Sequence, residues 1–206
     1  MFKATASLIL FLIPVLTLPL VGCGDRSAPL IELDGPTMGT YYSIKIARPP
    51  AGMTTETLRS DVESLLNQVI AEISTYDQTS ELSRLNRNPS TNWIPVSPNL
   101  YQVIAEGQRV AALTDGAFDI TVGPLVNLWG FGPEARSDTL PSPEQISAAQ
   151  ARVGWQKLEL RATPLAVRKA RPDLYIDLSA LGEGDGVDRI ADWLDSEGVA
   201  NYMVAV

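Results

Sequence analysis

Four short runs gather the residue types that bind or react. The richest is D-L-S-A-L-G-E-G-D-G-V-D at residues 177–188. A strand there would deliver Asp177 and Ser179 to a glycine-rich turn whose free amides precede a helix, and the positive end of a helix favours a diphosphate. Three carboxylates, Glu183, Asp185 and Asp188, crowd the same turn and would repel a bare phosphate; a divalent cation between them removes the conflict. The second run, T-D-G-A-F-D-I-T-V-G-P-L-V-N-L-W-G-F-G at 114–132, interleaves glycines with aromatics and two aspartates, which suits a cleft wall better than a surface loop. In the third, S-T-Y-D at 74–77, Tyr76 stands at a helix end, where its ring either stacks on a flat ligand or caps the core; Ser80, Leu82 and Asn86 follow. The fourth, G-P-T-M-G-T at 35–40, offers two glycines where backbone can approach a ligand, with Met38 as an adaptable apolar contact, or serves as a plain turn.

What is missing narrows the chemistry. The 206 residues contain no histidine, which excludes a Ser-His-Asp triad, a Cys-His pair and a His-ligated zinc site within this stretch. A formal charge of −8 argues against nucleic acid, whose phosphates call for Lys and Arg. The single cysteine, Cys23, forbids an internal disulfide. It closes L-V-G-C, the form of a lipobox, after an uncharged apolar run at 8–21 that Pro14 and Pro19 interrupt. That run is short for a membrane span of about 20 residues. Residues 1–22 therefore read as a secretory signal and Cys23 as a lipid-bearing anchor to a membrane rather than a buried thiol.

The elements that must position these runs follow from periodicity. Residues 24–33 form a polar tether, and 41–46 alternate as a strand. Over 56–73 the apolar positions Leu58, Val62, Leu65, Leu66, Val69, Ile70 and Ile73 recur at three and four residues and predict an amphipathic helix. Residues 74–92 are polar. Ser97-Pro98 and Ser142-Pro143 each combine an N-cap with proline in the first turn, and open helices that run to about Thr114 and to Val153. Short strands are expected at 158–160, 166–169 and 174–178, a helix at 187–196 ending before Gly198, and a last strand at 201–206. Helices and strands mixed in this way give an α+β chain with one domain from residue 34 onward.

In this order and spacing, the four runs resemble the FAD:protein FMN transferase family, the ApbE flavin transferases. The family's wording G-T-M-G-T, S-x-Y followed by S-x-L-x-x-[LF]-N, D-G-A-[FM]-D-x-T-V-G-P-L-V-N-L-W-G-F-G and D-L-[SG]-[AT]-[LIV]-[AG]-[EK]-G is met across residues 31–206, with T-M-G-T intact at 37–40. The resemblance implies a T-fold-like mixed sheet with flanking helices and a lipoprotein on the periplasmic side of a bacterial membrane. The implied reaction is magnesium-dependent transfer of FMN from FAD to a threonine of another protein, with release of AMP. Acceptors would be subunits of Nqr- or Rnf-type electron-transfer complexes. A metal-dependent FAD pyrophosphatase and a non-catalytic flavin carrier are the other readings. Flavin contacts would fall on Met38, Tyr76, Ala117, Phe118, Asp119, Asp177 and Glu183, and Mg2+ on the main-chain carbonyl of Ala180. The family's further metal ligands, an Asp and a Thr, belong to segments beyond Val206, so 34–206 is expected to be the N-terminal part of the transferase domain and to transfer no FMN alone. Besides Pro36 in place of the first Gly of G-T-M-G-T, one further position departs: Asp185 stands where the family usually has an aromatic, which would lose packing and add a charge unless water reaches it.

Overall fold

In a computed structural model, residues 29–134 and 139–206 are described. The apolar leader and Cys23 lie outside the described residues. Strands β1 (Leu30–Thr37) and β2 (Thr40–Ala47) form an antiparallel hairpin. Leu33, Tyr42, Ile44 and Ile46 point inward in strict alternation, the period of a half-buried sheet. β1 starts inside the stretch read from sequence as tether, because alternation in that short polar run is carried by Leu33 and the small Gly35 and Thr37. The hairpin turns at Met38 and Gly39 with φ of 48° and 81°, both left-handed, as a two-residue hairpin requires. Gly35 is a strand residue: a Cβ there would meet the Tyr42 ring at 2.7 Å, so it makes room for a core tyrosine and not for a ligand.

α1 (Thr55–Ile73) begins at a Thr54 capping box and is the spine of the fold. Its first half, with Leu58, Val62 and Leu66, packs on the hairpin and the last helix. Its second half, with Val69 and Ile73, joins a second core. That core is built from α2 (Glu81–Arg87), α3 (Pro98–Leu113), strands β4 (Leu158–Ala162) and β5 (Leu165–Lys169), and residues 174–178. Ser97 and Ser142 cap α3 and α5 (Pro143–Gln150) as expected, α5 ending a few residues short of Val153. Between them α4 (Gly123–Leu128) is a helix of under two turns within the aromatic-glycine run. The short β3 (Ile94–Pro95) pairs with β5, and β6 (Tyr202–Ala205) pairs with β2. The α+β expectation holds, with two three-stranded antiparallel sheets among the described residues, ordered β1-β2-β6 and β3-β5-β4.

Two expectations are corrected, and both corrections bear on the site. Residues 174–178 belong to no sheet. Their hydrogen bonds go elsewhere: the Asn86 side-chain amide both receives Ile176 N–H and donates to Ile176 C=O at 2.8 Å, and Asp177 N–H donates to Ile120 C=O at 2.7 Å. Asn86 in turn is fixed by Lys169, a fully buried side chain whose ammonium donates to the carbonyls of Leu85, Asn86 and Asn88 at the end of α2 and to that of Pro172. A cation there satisfies carbonyls that a helix leaves open. Burial lowers the Lys169 pKa, opposed by Asp173.

The last helix, α6 (Ser179–Ser196), begins eight residues before the predicted start and contains the whole glycine-rich stretch. Gly182 and Gly186 face α1: a Cβ would stand 3.4 Å from Ile73 Cδ1 at the first and 3.2 Å from Leu66 Cδ2 at the second, with Met38 also within 4.0 Å of each. Here glycine sets how closely two helices approach.

Candidate functional site

A cleft of about 1200 Å³ lies between the C-terminal end of α1, the 116–122 loop and the start of α6. Met38, Tyr76, Ala117, Phe118, Asp119, Asp177, Ala180 and Glu183 all line it, although the chain separates the first and last by well over a hundred residues. Of the site residues read from sequence, only Cys23 is not placed here, lying outside the described residues. Val69, Ile70, Ile73 and Ile120 make its apolar side. A drug-sized ligand takes about 300–1000 Å³, so this cleft is large enough for a dinucleotide.

Each wall is held by a separate network. At the end of α1, Ser74 Oγ accepts the amides of Tyr76 and Asp77, both at 3.1 Å. The Ser74 carbonyl accepts the hydroxyls of Ser80 and Ser83. This clamp leaves Tyr76 61% exposed at the mouth, where its hydroxyl donates to Phe131 C=O at 2.9 Å. Phe131 is a lining residue that sequence reasoning placed only within a cleft wall; its position between Gly130 and Gly132 carried that signal. Asp77 is turned back on Thr79, whose hydroxyl and amide lower its pKa.

On the opposite side, Asp119 is occupied. Its Oδ1 accepts the amide and hydroxyl of Thr121 at 2.7 Å, and its Oδ2 accepts Trp155 N–H at 2.9 Å. Thr121 Oγ1 also accepts Gly154 N–H. Asp119 thus shapes the loop that presents Ala117 and Phe118. Asp177 is 8% exposed and accepts Ser179 N–H through Oδ1 at 2.9 Å, ordering the first turn of α6. Its buried position is the product of the Lys169–Asn86–Ile176 chain described above.

The charge conflict expected at 177–188 is resolved differently from the sequence reading. In the helix Glu183 faces the cleft, whereas Asp185 lies 2.9 Å from Arg189, with Asp188 near enough to add to the raising of its pKa. Arg189 also bonds Glu72 of α1 at 2.6 Å, tying the two helices together. Asp185 is therefore a partly buried ion-pair member beneath the site, with its pKa raised by burial against the pull of Arg189.

Among the described residues, no group of three or more His, Cys, Asp or Glu side chains is arranged to hold a metal. The cleft lining does carry Asp77, Asp119, Asp177 and Glu183 with no Lys or Arg. Such a site gives a polyanionic ligand helix amides but no positive side chain, and it fits a hard cation shared with ligand oxygens better than an all-protein cage.

The geometry is that of a dinucleotide-sized cleft in an α+β domain, and comparison places it. The ApbE family model matches residues 38–206, and the chain belongs to that family. It is 45% identical over 187 residues to FAD:protein FMN transferase of Vibrio cholerae, covering 91% of this chain and 55% of the relative. It is 41% identical to the protein of that name from Haemophilus influenzae, covering 93% and 56%. The solved structure of flavin transferase ApbE from Vibrio cholerae superposes with a TM-score of 0.84 at 45% identity, over 87% of this chain and 57% of that one. The chain thus spans about 55% of the length of the curated relatives it matches.

Proposed function

We propose that the cleft binds FAD and that the protein transfers the FMN half of it to a threonine of an acceptor flavoprotein, releasing AMP. The observation that carries this reading is the convergence in one large cleft of an exposed Tyr76 at the mouth, the Ala117–Asp119 loop and the N-terminal turn of α6. The isoalloxazine ring lies against Tyr76 and Phe118, and the diphosphate meets the positive end of α6. In the transfer, the threonine oxygen forms a bond to the FMN phosphorus, the P–O–P bridge to AMP breaks, AMP leaves with the bridging oxygen, and the hydroxyl proton is released.

Magnesium fits this arrangement. Asp177, Glu183 and the second lone pair of the Ala180 carbonyl would hold it beside the diphosphate. When bound it supplies charge neutralisation of the phosphates. The chain's own residues do the rest: Asp177 fixes the turn, Asp119 fixes the loop, and the apolar side excludes water. In keeping with the lipobox at Cys23, the protein works on the periplasmic side of a membrane through a lipid anchor, with subunits of Nqr- or Rnf-type complexes as acceptors.

The test is to incubate the protein with FAD, Mg2+ and an acceptor domain and to weigh the acceptor. A mass gain of one FMN is expected when the whole protein is used, since this chain spans about 55% of the length of its curated relatives. Release of AMP without that gain makes the protein an FAD pyrophosphatase instead, and FAD binding with neither product makes it a flavin carrier.

A further inference from the structure

Thr75 stands between the two clamped residues of the α1 wall, and its hydroxyl is unspent. Its side chain is 3% exposed, and Oγ1 is screened from solvent with no hydrogen-bond partner. Other buried polar atoms lack hydrogen-bond partners too, on Thr37, Gln108 and Asn127, but among the described residues Thr75 alone of this group lines the cleft. An unpartnered buried hydroxyl is costly and calls for a reason. The backbone cannot shift to relieve it, because Ser74 takes two hydroxyls on its carbonyl and two amides on its own Oγ. Rotation about χ1 is the freedom left, and it exchanges the positions of methyl and hydroxyl without moving the chain.

We propose that Thr75 is a specificity residue for the planar ring held against Tyr76: its hydroxyl donates to an acceptor on the edge of that ring, a carbonyl oxygen or ring nitrogen of the flavin heterocycle. The inference rests on the reading of the cleft as an FAD site. It gives neighbouring residues different tasks, Tyr76 offering a face that any flat ring can use and Thr75 asking for a heteroatom at the edge. A site that hydrogen-bonds its ligand in this way rejects an analogue that leaves the buried group unpaired.

The experiment uses Thr75→Val, which keeps the shape and removes the hydroxyl, and Thr75→Ser, which keeps the hydroxyl and removes the methyl. FAD affinity is measured by quenching of flavin fluorescence, ADP-ribose affinity by calorimetry, and thermal stability without ligand. Thr75→Val is expected to bind FAD about five- to tenfold more weakly. Its affinity for ADP-ribose, which lacks the flavin, should be unchanged, and its melting temperature equal to or above that of the parent. Thr75→Ser should hold FAD affinity within about twofold, even where loss of the methyl lowers stability. If Thr75→Val binds FAD like the parent, or if Thr75→Ser is the weaker binder, the side chain acts by packing and the inference is wrong. If the parent itself binds no FAD, the reading of the cleft fails first and takes this inference with it.

Discussion

Residues 115–132 and 179–186 are both glycine-rich, both carry aspartate, and both line the cleft, yet glycine does opposite things in them. In the first, Gly116 and Gly130 hold positive φ of 81° and 75° and let the chain reverse around Ala117 and Phe131. Gly123 opens α4 with its Cα pressed on Tyr175, a Cβ there lying 2.3 Å from the ring. In the second, Gly182, Gly184 and Gly186 are all helical. Two of them, four residues apart, form a shallow track for Ile73, Leu66 and Met38, and the third faces open space. The comparison teaches that glycine content marks a place where a side chain is unwelcome, and that spacing tells whether the reason is conformation or contact. A four-residue interval is one helix face.

The comparison is most sharply tested at Gly123. Alanine there has no flexible neighbour to displace, since Tyr175 Cδ1 and Cε1 stand at 2.3 and 2.8 Å from the new carbon. Forcing the ring aside should cost about 3 kcal/mol, the upper range for overpacking, read as a fall in the urea midpoint. A loss of under about 1 kcal/mol would show that the wall is looser than described.

Next comes the tie that holds the second segment in place. Arg189→Ala leaves Asp185 and Glu72 facing each other without their cation, at side chains that are only 18% and 21% exposed. A loss of about 2 kcal/mol at pH 7 is expected, below the range for fully buried pairs because water reaches these groups. The pH dependence has a defined sign. Burial raises the Asp185 pKa above 3.8, so its protonated form is favoured by folding. That contribution is fully present below pH 3.8 and lost as pH rises through the raised value. The deficit of the variant should therefore shrink as the solution is acidified. A deficit that is constant with pH would mean that Arg189 acts through its methylenes alone.

Gly116→Ala separates conformation from contact. The left-handed φ costs an L-residue about 1–2 kcal/mol, and Trp155 Nε1 at 3.2 Å from the added carbon can yield. FAD affinity should fall together with stability, because Ala117 and Phe118 follow directly. Unchanged affinity in a destabilised variant would detach this loop from the ligand.

How far the sequence foretold these arrangements depended on what kind of signal each residue gave. α1 was legible because seven apolar residues keep one face, and α3 and α5 because Ser97 and Ser142 precede proline. α2 was not, since only Leu82 and Leu85 offer apolar periodicity within a polar stretch. Residues 174–178 alternate like a strand, but their partner is the amide of Asn86, ninety positions away, which no local pattern announces. The site residues were legible as a set through the family's wording, and the cleft gathers them. Their separate duties were not: Asp119 and Asp177 look like ligand groups in sequence and spend bonds on the backbone in space. The pairing of Asp185 with Arg189 had a signal in its i,i+4 spacing, overlooked because the glycines argued for a turn. Thr75 had none, since lacking a partner is a property of three dimensions.

The smallest predicted effect is the one that decides between the two readings of residues 179–186. If these residues were a turn that precedes a helix, as glycine content suggested, alanine at Gly184 would be neutral or harmful. In α6 the position is a helix interior with nothing within 4 Å of an added Cβ. Alanine there reduces the conformational freedom of the unfolded chain and shields helix backbone, while meeting no neighbour. Gly184→Ala should raise stability by about 0.5–1 kcal/mol. Gly186→Ala, two residues on, should gain less or lose, because Leu66 Cδ2 at 3.2 Å must give way first. Neither position lines the cleft, so FAD affinity should follow the parent in both. Chemical denaturation of the two variants side by side makes the test: Gly184→Ala more stable than the parent and Gly186→Ala below it in rank supports a helix packed on α1, whereas a destabilised Gly184→Ala would return these residues to a turn and remove the basis for placing a diphosphate at the start of α6.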